Sequence, residues 1–203
     1  EKLNAVYDEE LKAFVFEIEH FSVYAVAFEQ FVDIDTNAYY YDAVKWAASN
    51  GITDGTDSTH FSPNGITNRG QMVTFLWRAA GKPEPTLTEC PFTDVEADSY
   101  YYKAVLWAYE KGITDGTTAT TFEPDKNVSR AQTVTFLWRY AGKPVLDYWM
   151  QMTDVASGQY YTEAVRWALA EGITEGTSKT TFSPNKDCLR GQIVTFLYRS
   201  LVK

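Results

Sequence analysis

Apolar residues along the chain fall into two alternating helical signatures joined by turn-rich loops. The first is Ala43, Val44 and Ala47, spaced i, i+1, i+4 within 40–50, which predicts a helix buried on one narrow face. Gly51 follows as the residue that ends it, and Gly112 and Gly172 stand at the equivalent places. The second signature is Met72, Phe75, Leu76 and Ala79, spaced i, i+3, i+4, i+7. Its helix is expected to start at Arg69, with Asn68 as N-cap and Gln71 at the third helical position. Ser129 and Gln132 make the same pair, whereas Leu189 has no oxygen to offer, so that helix start should be weaker by about 1 kcal/mol. Gly81 and Gly142, each followed by Lys-Pro, close the first two copies of this helix. Residues 1 to 30 read differently. Phe14, Phe16 and Ile18 alternate with polar or smaller residues, and 23–28 reads as another strand after a turn near 8–10. A two-strand ribbon is marginal alone, so this piece is expected to be the tail of an upstream β domain.

The two signatures recur as a pair three times. Asp33, Trp46, Gly55, Phe61, Pro63, Arg69, Gln71 and Phe75 reappear 61 residues on, from Asp94 to Phe136, and again 60 residues later, from Asp154 to Phe196. A fixed period of this length marks tandem copies of one supersecondary unit, each too small to bury its apolar face alone. Repeat boundaries are expected at 31–85, 86–146 and 147–203, and the short linkers between them force neighbouring copies to pack together. The fold class is therefore mostly α: three helix-loop-helix repeats behind a short β segment.

Composition narrows the partners. A net charge of −9 argues against nucleic acid and requires any anionic ligand to meet locally placed Arg or Lys. The apolar runs are too short to span a membrane. Cys90 and Cys188 lie outside any metal-ligand spacing; a bridge between them and two inert thiols both remain open. Asp33-Ile34-Asp35-Thr36-Asn37 begins like a calcium loop, but Ala38 and Val44 occupy the positions that need Gly and Glu. No metal or cofactor is expected. The two histidines, His20 and His60, do not repeat, so no nucleophile–His–acid set is available and no enzyme activity is expected.

Three repeated residues carry candidate chemistry. Arg69, Arg130 and Arg190 at helix starts offer bidentate donors beside first-turn N–H groups, a good setting for a carboxylate; the alternative is a salt bridge to a motif aspartate that staples repeats together. Trp46, Trp107 and Trp167 suit either the apolar face of a sugar ring or the core. Trp77, Trp138 and Tyr198 are read as packing residues. Gly55, Gly116 and Gly176 sit in tight turns where positive φ is needed, which also leaves room for a ligand to approach.

The ordered set Phe-x-Asp-Val, Tyr-x-x-Ala-Val-x-Trp-Ala, Gly-Ile-x-x-Gly, Phe-x-Pro and Arg-Ala/Gly-Gln, repeated over 31–203, resembles the S-layer homology domain. The resemblance implies a pseudo-threefold, three-pronged helical spindle on the cell surface. It further implies non-covalent anchoring by binding secondary cell wall polysaccharide, possibly pyruvylated, in grooves between repeats. The groove residues it implies are Arg69, Arg130, Arg190, Trp46, Trp107, Trp167, Gly55, Gly116, Gly176, Asp33, Asp94 and Asp154. A monomer is expected, since a pseudo-threefold arrangement satisfies its own interfaces. The sequence departs from the family pattern at Asn68, Ser129 and Leu189 before the arginine, at Gly70 and Gly191 after it, and at Gln71, Gln132 and Gln192. A structural or protein-interaction module, and the carbohydrate-binding part of a secreted hydrolase, are the alternative readings.

Overall fold

A computed structural model describes residues 6–8, 13–15 and 31–202. The strands β1 (Val6–Asp8) and β2 (Ala13–Val15) pair antiparallel, with Tyr7 opposite Phe14. The strand expected over 23–28 lies outside the described residues.

Six helices follow among the described residues: α1 (Tyr41–Ser49), α2 (Arg69–Ala79), α3 (Tyr102–Glu110), α4 (Arg130–Tyr140), α5 (Thr162–Ala170) and α6 (Arg190–Leu201). Each repeat holds one short and one longer helix, as the two apolar signatures predict. Ala43, Val44 and Ala47 are buried on α1, and Met72, Phe75 and Leu76 on α2. Gly51, Gly112 and Gly172 take φ of 63°, 64° and 68° just past α1, α3 and α5, the left-handed turn that ends a helix. Asn68 and Ser129 accept from the third-residue amides, while Gln71 and Gln132 accept in return from the cap amides. At α6 only the return bond exists, Leu189 N–H to Gln192 Oε1 at 3.3 Å. Trp77 and Trp138 are half-buried, and their indole N–H groups donate to the carbonyls of Pro83 and Pro144. They pin the chain as it leaves each helix.

The helices pack by exchange. The extensive side-by-side pairs are α2 with α3, α4 with α5, and α6 with α1, all between repeats, and α2, α4 and α6 also touch one another. The chain between loop and second helix closes the same circuit. Val128 N–H donates to Thr67, Cys188 N–H to Val128, and Thr67 N–H to Cys188, at 2.9, 2.9 and 3.2 Å. These three amides and three carbonyls satisfy each other, so buried backbone is paired only when all three repeats are present. Cys188 sits fully buried in that ring, where burial pushes its thiol up to about 11. Cys90 is also a free thiol; no bridge joins the two, and both pack with the hydrophobic core.

Gly70 and Gly191, at the place that Ala131 holds in the second repeat, have a packing reason. A Cβ on Gly70 would lie 2.9 Å from Tyr101 of the second repeat, and one on Gly191 3.0 Å from Tyr40 of the first. Each seats an aromatic ring from the next repeat in the circuit.

Candidate functional site

The motif aspartates build the platform for the site. Asp33 accepts the N–H groups of Phe61 and Ser62 at 2.8 and 2.7 Å; Asp94 does so for Phe122 and Glu123, and Asp154 for Phe182 and Ser183. The bracketed turn holds Ser62, Glu123 and Ser183 at φ of 55–59°, a conformation that needs outside support in a non-glycine residue. It buries Phe61, Phe122 and Phe182 completely. Their carbonyls face the arginine of another repeat. Arg190 Nε donates to Phe61 O at 2.9 Å, Arg69 to Phe122 O at 2.8 Å and Arg130 to Phe182 O at 2.9 Å. Asp94→Ala would leave two amides without their acceptor, and it is expected to cost about 2 kcal/mol, read as a lower urea midpoint with unchanged slope.

The arginines are buried to 3%, 2% and 5% exposure at 69, 130 and 190. Each guanidinium lies over two phenylalanine rings, as Arg130 does over Phe182 at 4.8 Å and Phe196 at 5.3 Å. Among the described residues none of the three forms an ion pair, so the stapling salt bridge to a motif aspartate is not what the structure contains. Burial pulls all three guanidinium pKa values down. The second nitrogen has poor partners: Arg130 Nη2 reaches Thr174 at 3.5 Å, Arg190 Nη2 reaches Thr53 at 3.3 Å, and the equivalent donor on Arg69 has none.

Two arginines floor open cavities. Arg130 lines one of about 290 Å³ with Thr174, Glu175 and Gly176, the α6 residues Gln192, Thr195, Phe196 and Arg199, and Tyr39. Arg190 lines one of about 210 Å³ with Thr53, Asp54 and Gly55, the α2 residues Gln71, Thr74, Phe75 and Arg78, and Tyr100. Each cavity thus draws on all three repeats. The floor comes from one, the wall from the next, and a tyrosine from the third. Around Arg69 the same parts recur: Phe136 lies 5.5 Å from the guanidinium, and Tyr160 lies close enough to feel its positive charge.

Sequence reasoning missed these tyrosines. Tyr39, Tyr100 and Tyr160 are 58–60% exposed, and each rests edge-on against its neighbour, Tyr40, Tyr101 or Tyr161, at 4.9–5.1 Å. The signal was the Tyr-Tyr doublet opening every repeat. The tryptophans stand elsewhere: Trp107 and Trp167 are buried at 2% and 6%, and half-buried Trp46 packs on Tyr198 at 5.6 Å. None lines either arginine cavity, and neither do the aspartates. Gly55 and Gly176 do. Their φ values are 85° and 89°, as Gly116 has 84°, and a Cβ on any of the three would fall 2.5 Å from protein atoms. The protein itself fills the space their missing side chains leave.

The cavities differ in charge. Arg78 is held by Asp54 at 2.8 Å and Arg139 by Asp115 at 2.9 Å. In the third loop the acid is Glu175, and Arg199 makes no ion pair among the described residues. The Arg130 cavity therefore presents two unpaired guanidinium groups.

This geometry meets three family matches. Residues 30–73, 91–134 and 151–194, nearly two thirds of the chain, match the S-layer homology domain. The chain belongs to this family. It is 26% identical over 172 residues to the Surface-layer 125 kDa protein of Lysinibacillus sphaericus, covering 81% of this chain and 14% of that one. It is 27% identical over 168 residues to an endoglucanase of Bacillus sp. (strain KSM-635), covering 80% and 18%. A Cellulosome-anchoring protein of Acetivibrio thermocellus is 24% identical over 150 residues, covering 70% and 33%. The S-layer homology chain thus spans a minor part of each relative.

Proposed function

We propose that this S-layer homology triplet anchors a surface protein to the bacterial cell envelope by binding an acidic wall polysaccharide in the arginine cavities. The carrying observation is three buried arginines that have no carboxylate partner among the described residues, in a protein of net charge −9. A buried cation without a counter-ion is costly. A ligand carboxylate, such as the pyruvyl ketal of a wall sugar, supplies that counter-ion, with Tyr39, Tyr100 or Tyr160 beside the ring. The cyclic helix exchange supports a pseudo-threefold, three-pronged spindle acting as a monomer. Arg, Tyr and Gly make the contacts in this reading. Asp33, Asp94 and Asp154 hold the platform, and Trp46, Trp107 and Trp167 hold the helices.

No helix among the described residues is long and apolar enough to cross a membrane. The endoglucanase match favours a second context, in which the triplet is the wall-binding part of a secreted hydrolase and does no chemistry itself. The test is sedimentation with cell-wall sacculi before and after hydrofluoric acid, which strips phosphodiester-linked polysaccharide. Binding only to untreated walls is expected. Equal binding to both kinds would move the ligand to peptidoglycan, and binding to neither would leave a structural module.

A further inference from the structure

The linker between the second and third repeats carries an aromatic pair that the repeat pattern does not explain. Trp149 is 83% exposed, more than any other large apolar residue among those described, and Tyr148 beside it is 41% exposed. The segment holding them is fastened down. Leu146, Met150 and Met152 pack against the core on either side, and Tyr148 N–H closes a tight turn on Leu146 O at 3.1 Å. An indole held in water on a tethered segment forgoes the large burial gain of its ring. The linker between the first two repeats, 84–91, contains no aromatic residue.

The pair borders a hollow of about 390 Å³ whose far wall includes Leu169, Thr174, Glu175 and Lys179, within the range of about 300–1,000 Å³ common to small-ligand sites. Thr174 and Glu175 also line the Arg130 cavity, so the two hollows share one loop as their common wall. Two flat aromatic faces, with Gln151, Glu175 and Lys179 near them to meet hydroxyl groups, have the chemistry of a pyranose site. Two side chains give far less than the ~800 Å² per partner of a stable protein interface, which disfavours a second copy as the occupant.

We propose that Tyr148 and Trp149 form an additional sugar subsite beside the Arg130 cavity, stacking a neutral ring that adjoins the acidic ring held by Arg130. This rests on the wall-glycan reading above and gives the Arg130 cavity a longer footprint than the Arg190 cavity.

The test uses the whole chain and wall polysaccharide released from sacculi, hydrolysed and fractionated by length, with affinity read by calorimetry. Trp149→Ala is expected to keep the parent's melting temperature. It should weaken binding of multi-ring fragments about tenfold, the loss expected of one aromatic face, and leave the shortest binding fragment unaffected. Trp149→Phe should recover most of that affinity. Equal affinity of parent and Trp149→Ala for long fragments overturns the subsite while the wall-glycan reading stands. A parent that binds no fragment of any length overturns both. Dimerisation of the parent by light scattering, lost in Trp149→Ala, would assign the pair to a second copy instead and overturn the proposal.

Discussion

A chain ending at residue 146, which keeps the first two repeats intact, is expected to lose cooperative thermal unfolding altogether. A beads-on-a-string array would lose only one bead. Here α1 has α6 as its packing partner, and Ala43, Val44 and Ala47, each at most 1% exposed, come into water when α6 is absent. The backbone circuit opens as well. Thr67 N–H loses Cys188 O, the Arg130 side chain loses the Phe182 carbonyl, and Arg130 N–H loses the Lys186 carbonyl. Three buried apolar side chains at about 1–2 kcal/mol each, plus several unpaired polar groups at about 1–3 kcal/mol each, match the 5–15 kcal/mol that stabilises a whole domain. Circular dichroism melting of the truncated chain should show reduced helix and a broad slope. A sharp transition with two thirds of the parent's helix would mean that the repeats fold independently, contrary to the exchange seen between them.

That exchange marks the limit of what the sequence discloses. Helix positions, the starts at Arg69, Arg130 and Arg190, and the glycine stops follow from local patterns, because caps and φ preferences are local physics. Partner choice is not local. Nothing in the periodicity of α1 distinguishes packing on α2 of its own repeat from packing on α6, since both offer the same apolar stripe. The short linkers require contact between neighbours, but the closing contact of the third repeat with the first depends on the angle that each α2–α3 type pair sets.

The site was legible to the same degree. Arginine at a helix start and glycine in the preceding loop could be read as candidates one repeat at a time. The aspartates entered the groove only through the family resemblance; in the structure their oxygens are taken up by backbone amides such as Phe61 and Ser62 N–H. Tryptophan had the better chemical claim to a sugar face, yet its position on α1, α3 and α5 turns it toward neighbouring helices. The tyrosine doublets then supply the exposed aromatic ring. Each cavity combines residues more than fifty positions apart, such as Tyr39 with Arg130, and no spacing rule within a repeat reaches that far.

Arg130 links the two roles that sequence reasoning set against each other, and its substitution should separate them. Alanine removes the donor to the Phe182 carbonyl and the planar group between Phe182 and Phe196. The expected cost is about 4 kcal/mol from an unpaired buried acceptor and a cavity, seen as a fall of about 10 °C in melting temperature for a chain of this size. Loss of binding to wall glycan in that variant therefore proves little by itself. Arg199→Ala and Tyr39→Ala are the clean partners, because both residues line the same cavity without bridging repeats through a buried hydrogen bond. Each is expected to leave melting within about 2 °C while reducing glycan affinity several-fold. Arg130→Lys keeps a charge and part of the stacking but loses the planar fork, so it should recover more stability than affinity. If Arg199→Ala and Tyr39→Ala bind as the parent does, and only the unstable Arg130→Ala fails, then Arg130 is a strut between repeats and the cavity above it is not the anchor.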